Sequence, residues 1–222
     1  MISILVPSRK RPNTLLRMYA SAMETADRPE EVEVVARIDD DDHTYSGISA
    51  PRMTILVGPR EGLASAWNEC ADKAKGELMG LVGDDIIFRT KGWDTIVKQK
   101  FEEFEDKILY VFGDDLGNGG RQAGTHGFIH RNWVDTVGYF VPPYFAASQV
   151  DHWLNEVARK LGRLRYGDII MEHVHWAFGK ADKDQVYEEG SQRAIQADKE
   201  WHLRQGELDE DVAKLREFID AY

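Results

Sequence analysis

Apolar positions in the first half of the chain follow two periods in turn. Short β-rich runs occupy residues 2–6, 32–38, 53–57 and 77–82, with the length and composition of buried strands. Between them Leu15, Leu16, Tyr19, Ala22 and Met23, and then Leu63, Trp67, Ala71 and Ala74, recur at helical spacing, which predicts two helices with one apolar face each. Pro7 closes the first run, Gly62 opens the second helix, and Gly76 is expected to stop it. Strands alternating with helices predict an α/β fold: a doubly wound, mostly parallel sheet with helices on both faces.

Such a sheet gathers ligands at the carboxyl ends of its strands. Ser8, Arg9, Lys10 and Arg11 follow the first run, Asp39 to Asp42 end the second, and Asp84 and Asp85 end the fourth. Adjacent carboxylates repel, so the pair at 84 and 85 either faces a cation, such as a hard divalent metal carrying a phosphate, or forms a solvated turn. Residues 168–176 read as a strand ending in His173 and His175, whose spacing turns both imidazoles to one face if the strand persists.

The remaining patterns set the frame around these groups. Ile195, Leu203, Leu208, Val212, Leu215 and Ile219 predict one or two amphipathic helices over 191–222, with a break near Gly206, which brace the sheet or make a homo-oligomer contact. A chain of 222 residues with 42% hydrophobic content is expected to form one core with this appendage. The net charge of −11 opposes non-specific binding to a polyanion, although Arg9, Lys10 and Arg11 form a local basic patch. No apolar stretch reaches the roughly 20 residues that span a bilayer, and no signal-peptide pattern opens the chain, so no membrane partner and a cytoplasmic location are expected. The lone cysteine, Cys70, falls on an apolar helix face and reads as a buried thiol.

Ile4-Leu-Val-Pro-Ser-Arg9, the strand ending at Asp39, Glu61-Gly-Leu-Ala-Ser-Ala-Trp-Asn68, Gly76-Glu-Leu-Met-Gly-Leu-Val-Gly-Asp-Asp85 and Gly92-Trp93 stand in an order and spacing that resembles the nucleotide-sugar half of family-2-type glycosyltransferases with the GT-A fold. The likeness continues more loosely to about residue 176. It implies a catalytic domain over 1–190, with a nucleotide-sugar-binding half at 1–100 and an acceptor half at 101–190, followed by the helical extension at 191–222. The implied activity is inverting transfer of a single hexose or pentose from a nucleoside-diphosphate sugar, a UDP-sugar first among them, to an acceptor hydroxyl on a glycan or small molecule. The membrane helices and Gln-x-x-Arg-Trp pattern of processive synthases are missing from the sequence, which favours single transfer.

The resemblance also implies roles residue by residue. Pro7, Ser8, Arg9 and Asp39 contact base and ribose; Arg60 and Asn68 line the donor pocket beside Asp84. Asp85 binds Mn²⁺ or Mg²⁺, with His173 or His175 completing the site, and imidazole favours Mn²⁺. Asp151 is the general base. One departure stands out: the motif usually has a carboxylate two positions before its last aspartate, where this chain has Gly83. Small catalytic domains of this kind also resemble bacteriophage enzymes that glycosylate hydroxymethylated pyrimidines in DNA, which makes modified DNA an alternative acceptor. A catalytically silent nucleotide-sugar-binding module is the alternative that Gly83 supports. In the acceptor half, residues 113–120, with Asp114 and Asp115, read as a flexible cleft wall. Residues 139–145 read either as an aromatic sugar platform or as core, and residues 180–190 as a lid or a surface linker.

Overall fold

The computed structural model describes residues 1–117 and 120–222, so Asn118 and Gly119, part of the expected cleft wall, lie outside the described residues. Its first half follows the sequence pattern closely. Strands β1 (Ile2–Ser8), β2 (Val32–Asp39), β3 (Met53–Gly58) and β4 (Leu78–Leu81) pair in parallel in the order β3-β2-β1-β4. Successive strand residues point to opposite faces. Ile2, Ile4 and Val6 therefore pack with Leu15, Met18 and Ala22 of helix α1 (Pro12–Thr25), while Leu5 packs with Trp67, Cys70 and Ala71 of helix α2 (Leu63–Lys73). Two apolar layers sandwich the sheet, and the strand ends emerge at one rim.

The second half mixes directions. Strand β5 (Ile86–Phe88) and helix α3 (Trp93–Glu102) lead to β6 (Tyr110–Asp114) and β7 (Gly127–His130); helices α4 (Arg131–Val137) and α5 (Val150–Leu161) then precede β8 (Leu164–His173). Strand β7 runs antiparallel to both β4 and β6, β8 is parallel to β6, and β5 closes the edge antiparallel to β8. All eight strands form one sheet, ordered β3-β2-β1-β4-β7-β6-β8-β5. Helices α6 (Gln185–Leu203) and α7 (Gln205–Asp220) form the extension, and α7 buries Leu208 and Leu215 in the core layer that holds α5. Asp211 fixes it further, accepting from Trp153 Nε1 at 3.0 Å and from the Tyr139 hydroxyl. Among the described residues, no helix is long and apolar enough to cross a membrane.

Several local expectations change. Helix α2 ends at Lys73 with Ala74 as its cap, so Gly76 does not stop it. Gly76 is required by close approach: its N–H donates to Ser3 Oγ at 2.8 Å, and a Cβ there would lie 2.7 Å from that oxygen. Helix α6 starts at Gln185 because Asp184 caps it, accepting from Tyr187 N–H at 3.1 Å. The boundary drawn at residue 190 thus falls inside a helix, and most of the supposed lid is its first turns. The joint between α6 and α7 is Arg204, with Gly206 already helical. Phe140, Val141 and Phe145 are core, which removes them as a sugar platform.

Candidate active site

A cleft of about 510 Å³ opens where β1, β2 and β4 end, with the N-terminal turn of α5 on one side and α6 above. Its floor is the acidic pair. Ser8 Oγ donates to Asp84 Oδ2 at 2.6 Å and is itself 2.5 Å from the Tyr45 hydroxyl. The Arg11 guanidinium lies 3.5 Å from Asp84 Oδ1 and 3.9 Å from Asp85 Oδ2. Burial, followed by the neighbouring Asp85 charge, pushes the Asp84 carboxyl up. Burial acts the same way on Asp85, but the contact with His173 and the nearby imidazoles outweigh it and hold Asp85 below the usual carboxylate range.

Asp85 is where the late histidines arrive. His173 Nε2 is 3.3 Å from Asp85 Oδ1, and one ligand atom each from Asp85, His173 and His175 lies within 4.8 Å of the others. Strand β8 ends at His173, so His175 reaches this point from the turn beyond, where its Nδ1 accepts from Ala177 N–H at 3.2 Å. A neutral ring that accepts there carries its proton on Nε2, so ligation through Nε2 requires the other tautomer, with Nδ1 protonated and this bond released. His173 Nδ1 is buried without a partner. One carboxylate and two imidazoles fit a divalent cation, and the donor set suits Mn²⁺ better than Mg²⁺.

A second cluster surrounds Asp39. Arg9 Nη1 is 2.8 Å from Asp39 Oδ2, Arg60 Nε is 3.6 Å away, and buried Arg37 approaches Oδ1 at 3.7 Å. Arg9 also pairs with Asp41, while Asp42 accepts from the N–H groups of Lys10 and Thr44 at 2.5 and 3.1 Å and so shapes the turn. On the far wall Asp151 stands in the first turn of α5, where burial raises its carboxyl against the opposing backbone N–H groups. Asn155 ties it to the end of the β6–β7 connection: its Nδ2 donates to the carbonyls of Asp151 at 2.7 Å and Gly124 at 2.6 Å, and its Oδ1 accepts from Gly124 N–H at 2.9 Å.

The model for the family described as glycosyl transferase family 2 matches residues 3–178. The chain belongs to glycosyl transferase family 2. Among solved structures it resembles S. aureus TarS 1-349 in complex with UDP (16% identity, TM-score 0.59, 77% of this chain and 59% of that one). It also resembles the mannosyltransferase PcManGT from Pyrobaculum calidifontis in complex with GDP-Man and Mn²⁺ (14% identity, TM-score 0.57, 78% and 57%). At these identities the likeness is one of fold, and the chain spans about three fifths of the length of those two structures. A search of curated proteins gives no significant match.

Within this family-2 fold, Pro7, Ser8, Arg9, Asp39, Arg60, Asp84, Asp85, Asp151, His173 and His175 all line the same cleft. Asn68 does not. Its Oδ1 accepts from Phe140 and Val141 N–H at 2.9 and 3.1 Å, and its Nδ2 donates to Val141 O at 2.9 Å, so the amide is consumed in holding the turn before α5. Sequence reasoning also left three groups unassigned: Tyr187, Asp184 and His126. Arg11 was visible only as part of the local basic patch. Tyr187, whose hydroxyl donates to Asp85 Oδ2 at 2.8 Å, and Asp184, which takes Arg11 Nη2 at 2.6 Å, lie in the polar stretch read as a lid or linker. His126 enters the cleft through the β4–β7 pairing, which no local pattern announces.

Proposed function

We propose that this chain transfers a single sugar, with inversion, from a nucleoside-diphosphate sugar to an acceptor hydroxyl, assisted by a divalent cation. The observation that carries the reading is the convergence, in one cleft, of the Asp85, His173 and His175 donor set with the Asp151 carboxyl. Complexes of the fold neighbours with UDP and with GDP-Man and Mn²⁺ support a nucleotide-sugar donor and nominate Mn²⁺.

Asp39 accepts a hydrogen bond from the base or ribose, positioned by Arg9, Arg37 and Arg60. Arg9, Arg11 and Arg60 offer positive charge to the diphosphate, whose own charge rises as the glycosidic bond breaks, so their attraction is strongest in the transition state. Asp85, His173 and His175 would hold a divalent cation, which when bound would supply Lewis-acid stabilisation to the leaving group. Asp151 takes the acceptor hydroxyl proton as the oxygen attacks. Its raised carboxyl suits that work, because a base with a higher pKa accepts the proton more readily. With one such carboxyl and direct attack, the configuration at the anomeric carbon inverts.

The experiment is release of nucleoside diphosphate from UDP-, GDP- and dTDP-sugars with Mn²⁺ across an acceptor panel of glycans, small alcohols and hydroxymethylated-pyrimidine DNA. Acceptor-stimulated release that disappears in Asp151→Asn supports the reading. Donor binding with no release under any acceptor, unchanged by Asp151→Asn, favours the silent module.

A further inference from the structure

Gly83 sits where the resemblance calls for a carboxylate, and its backbone is not in the left-handed region that favours glycine. Space imposes it: a Cβ there would lie 2.8 Å from Asp85 Oδ1 and 3.1 Å from His126 Nε2. The place of the missing side chain is therefore approached by the imidazole of the residue that precedes β7. The β4–β7 register pairs Leu81 with Gly127, which sets His126 just beyond the end of β4. Its ring is 8% exposed, lines the cleft, and meets His173 edge-on at 4.9 Å between centroids.

The His126 nitrogens differ in their surroundings. Nδ1 is buried with no hydrogen-bond partner among the described residues. A buried orphan acceptor is less costly than a buried orphan donor, so the proton belongs on Nε2, the nitrogen turned towards Gly83. Asn155 binds both Asp151 and Gly124, two residues before His126, so this imidazole is held in fixed relation to the base. It meets the cation-ligand cluster at His173 and is tied through Gly124 and Asn155 to the turn that carries Asp151, so it belongs to the cleft wall that spans the interval between the two. In the transfer reaction the sugar must occupy that interval, because its anomeric carbon is bonded to the diphosphate on one side and attacked from the other.

We infer that His126 is a specificity-determining donor contact, its Nε2–H donating to a hydroxyl oxygen of the transferred sugar within the cleft that it lines. This rests on the glycosyl-transfer reading above. It also defines what is recognised: a carboxylate at position 83 would accept hydrogen bonds from sugar hydroxyls, whereas His126 offers one donor and no charge.

Calorimetric titration tests it with UDP-GlcNAc and GDP-mannose against UDP and GDP, all with Mn²⁺, on the intact chain and on His126→Ala and His126→Gln. The expected result for His126→Ala is about a tenfold loss of affinity for the intact sugar nucleotide, the size of one hydrogen bond. Affinity for the matching nucleoside diphosphate should stay within about twofold, and His126→Gln, which keeps a donor, should recover part of the loss. Equal losses on both ligands would mean a structural role, and unchanged affinity for both would mean no contact; either overturns the inference while leaving glycosyl transfer standing. Failure of the unmodified chain to bind any of the four overturns both.

Discussion

Asp84 and Asp85 follow β4, a strand buried along its whole length and paired on both sides by β1 and β7, whereas Tyr187 and Asp184 belong to α6, which buries Ala197 alone among its described residues. The floor of the cleft rests on apolar packing, each fully buried Leu, Ile or Val contributing about 1.5–3 kcal/mol. The roof rests on polar contacts. Asp184 holds Arg11 at 2.6 Å, Glu189 pairs with Arg60, Gln185 takes Lys10 at 3.0 Å, and Tyr187 donates to Asp85. The exposed contacts among them, Glu189 with Arg60 and Gln185 with Lys10, are worth about 0–1 kcal/mol each. The floor is thus preorganised, and the roof is held by contacts that can be exchanged. Arg11, Arg60 and Asp85 are the groups that a diphosphate and its cation would claim under the proposed function, so substrate would compete with α6 for these contacts.

The largest expected effect lies in the chemistry of the far wall, which shares the apolar support of the floor. Asp151→Asn should lower turnover by about 10²–10⁴-fold, the usual contribution of a general base, with donor affinity retained by calorimetry. A comparable loss of donor affinity would move Asp151 from chemistry to binding. Next in size is the contrast in packing: Leu15→Ala, beneath β1, should cost about 2–5 kcal/mol in chemical denaturation. Ile195→Ala on α6, 67% exposed, should stay within about 0.5 kcal/mol. Equal losses would erase the distinction between floor and roof.

Salt should separate the two regions without mutation. Raising ionic strength screens the charge pairs of α6, so amide exchange over 185–195 should accelerate several-fold while β1 and β4 stay protected. A smaller effect concerns pH. The Asp151 carboxyl is raised by burial, so the active, ionised base is lost as pH falls through a value above the usual carboxylate range, and the acid limb of the rate profile should sit correspondingly high. The same shift runs the other way for stability. A carboxyl raised in the folded state binds more protons there than when unfolded, so its contribution weakens as pH rises through the folded pKa. Asp151→Asn should therefore melt slightly higher than the unmodified chain at neutral pH.

Legibility followed the range of the contacts. The order from β1 to β4 was readable because strand and helix periods are local, and Asp39, Asp84 and Asp85 were placed simply by ending strands. Asp151 and the two histidines came from the family resemblance, and the structure brings them to the same cleft. Asn68 misled because an amide looks alike whether it faces substrate or holds a turn. Tyr187 could not be foreseen, since it meets Asp85 across 102 residues of sequence. His126 depended on an antiparallel pairing between β4 and β7, and strand direction leaves no local signature in the apolar pattern.

Calorimetric titration of UDP-GlcNAc and GDP-mannose into the chain, with Mn²⁺ and with chelator, and into Asp85→Asn, decides whether the acidic floor binds donor through a cation. At least one sugar nucleotide should bind with Mn²⁺, and chelation or Asp85→Asn should weaken it by an order of magnitude or more. Binding indifferent to both the metal and Asp85 would contradict the assignment of this cleft as a cation-assisted glycosyl-transfer site.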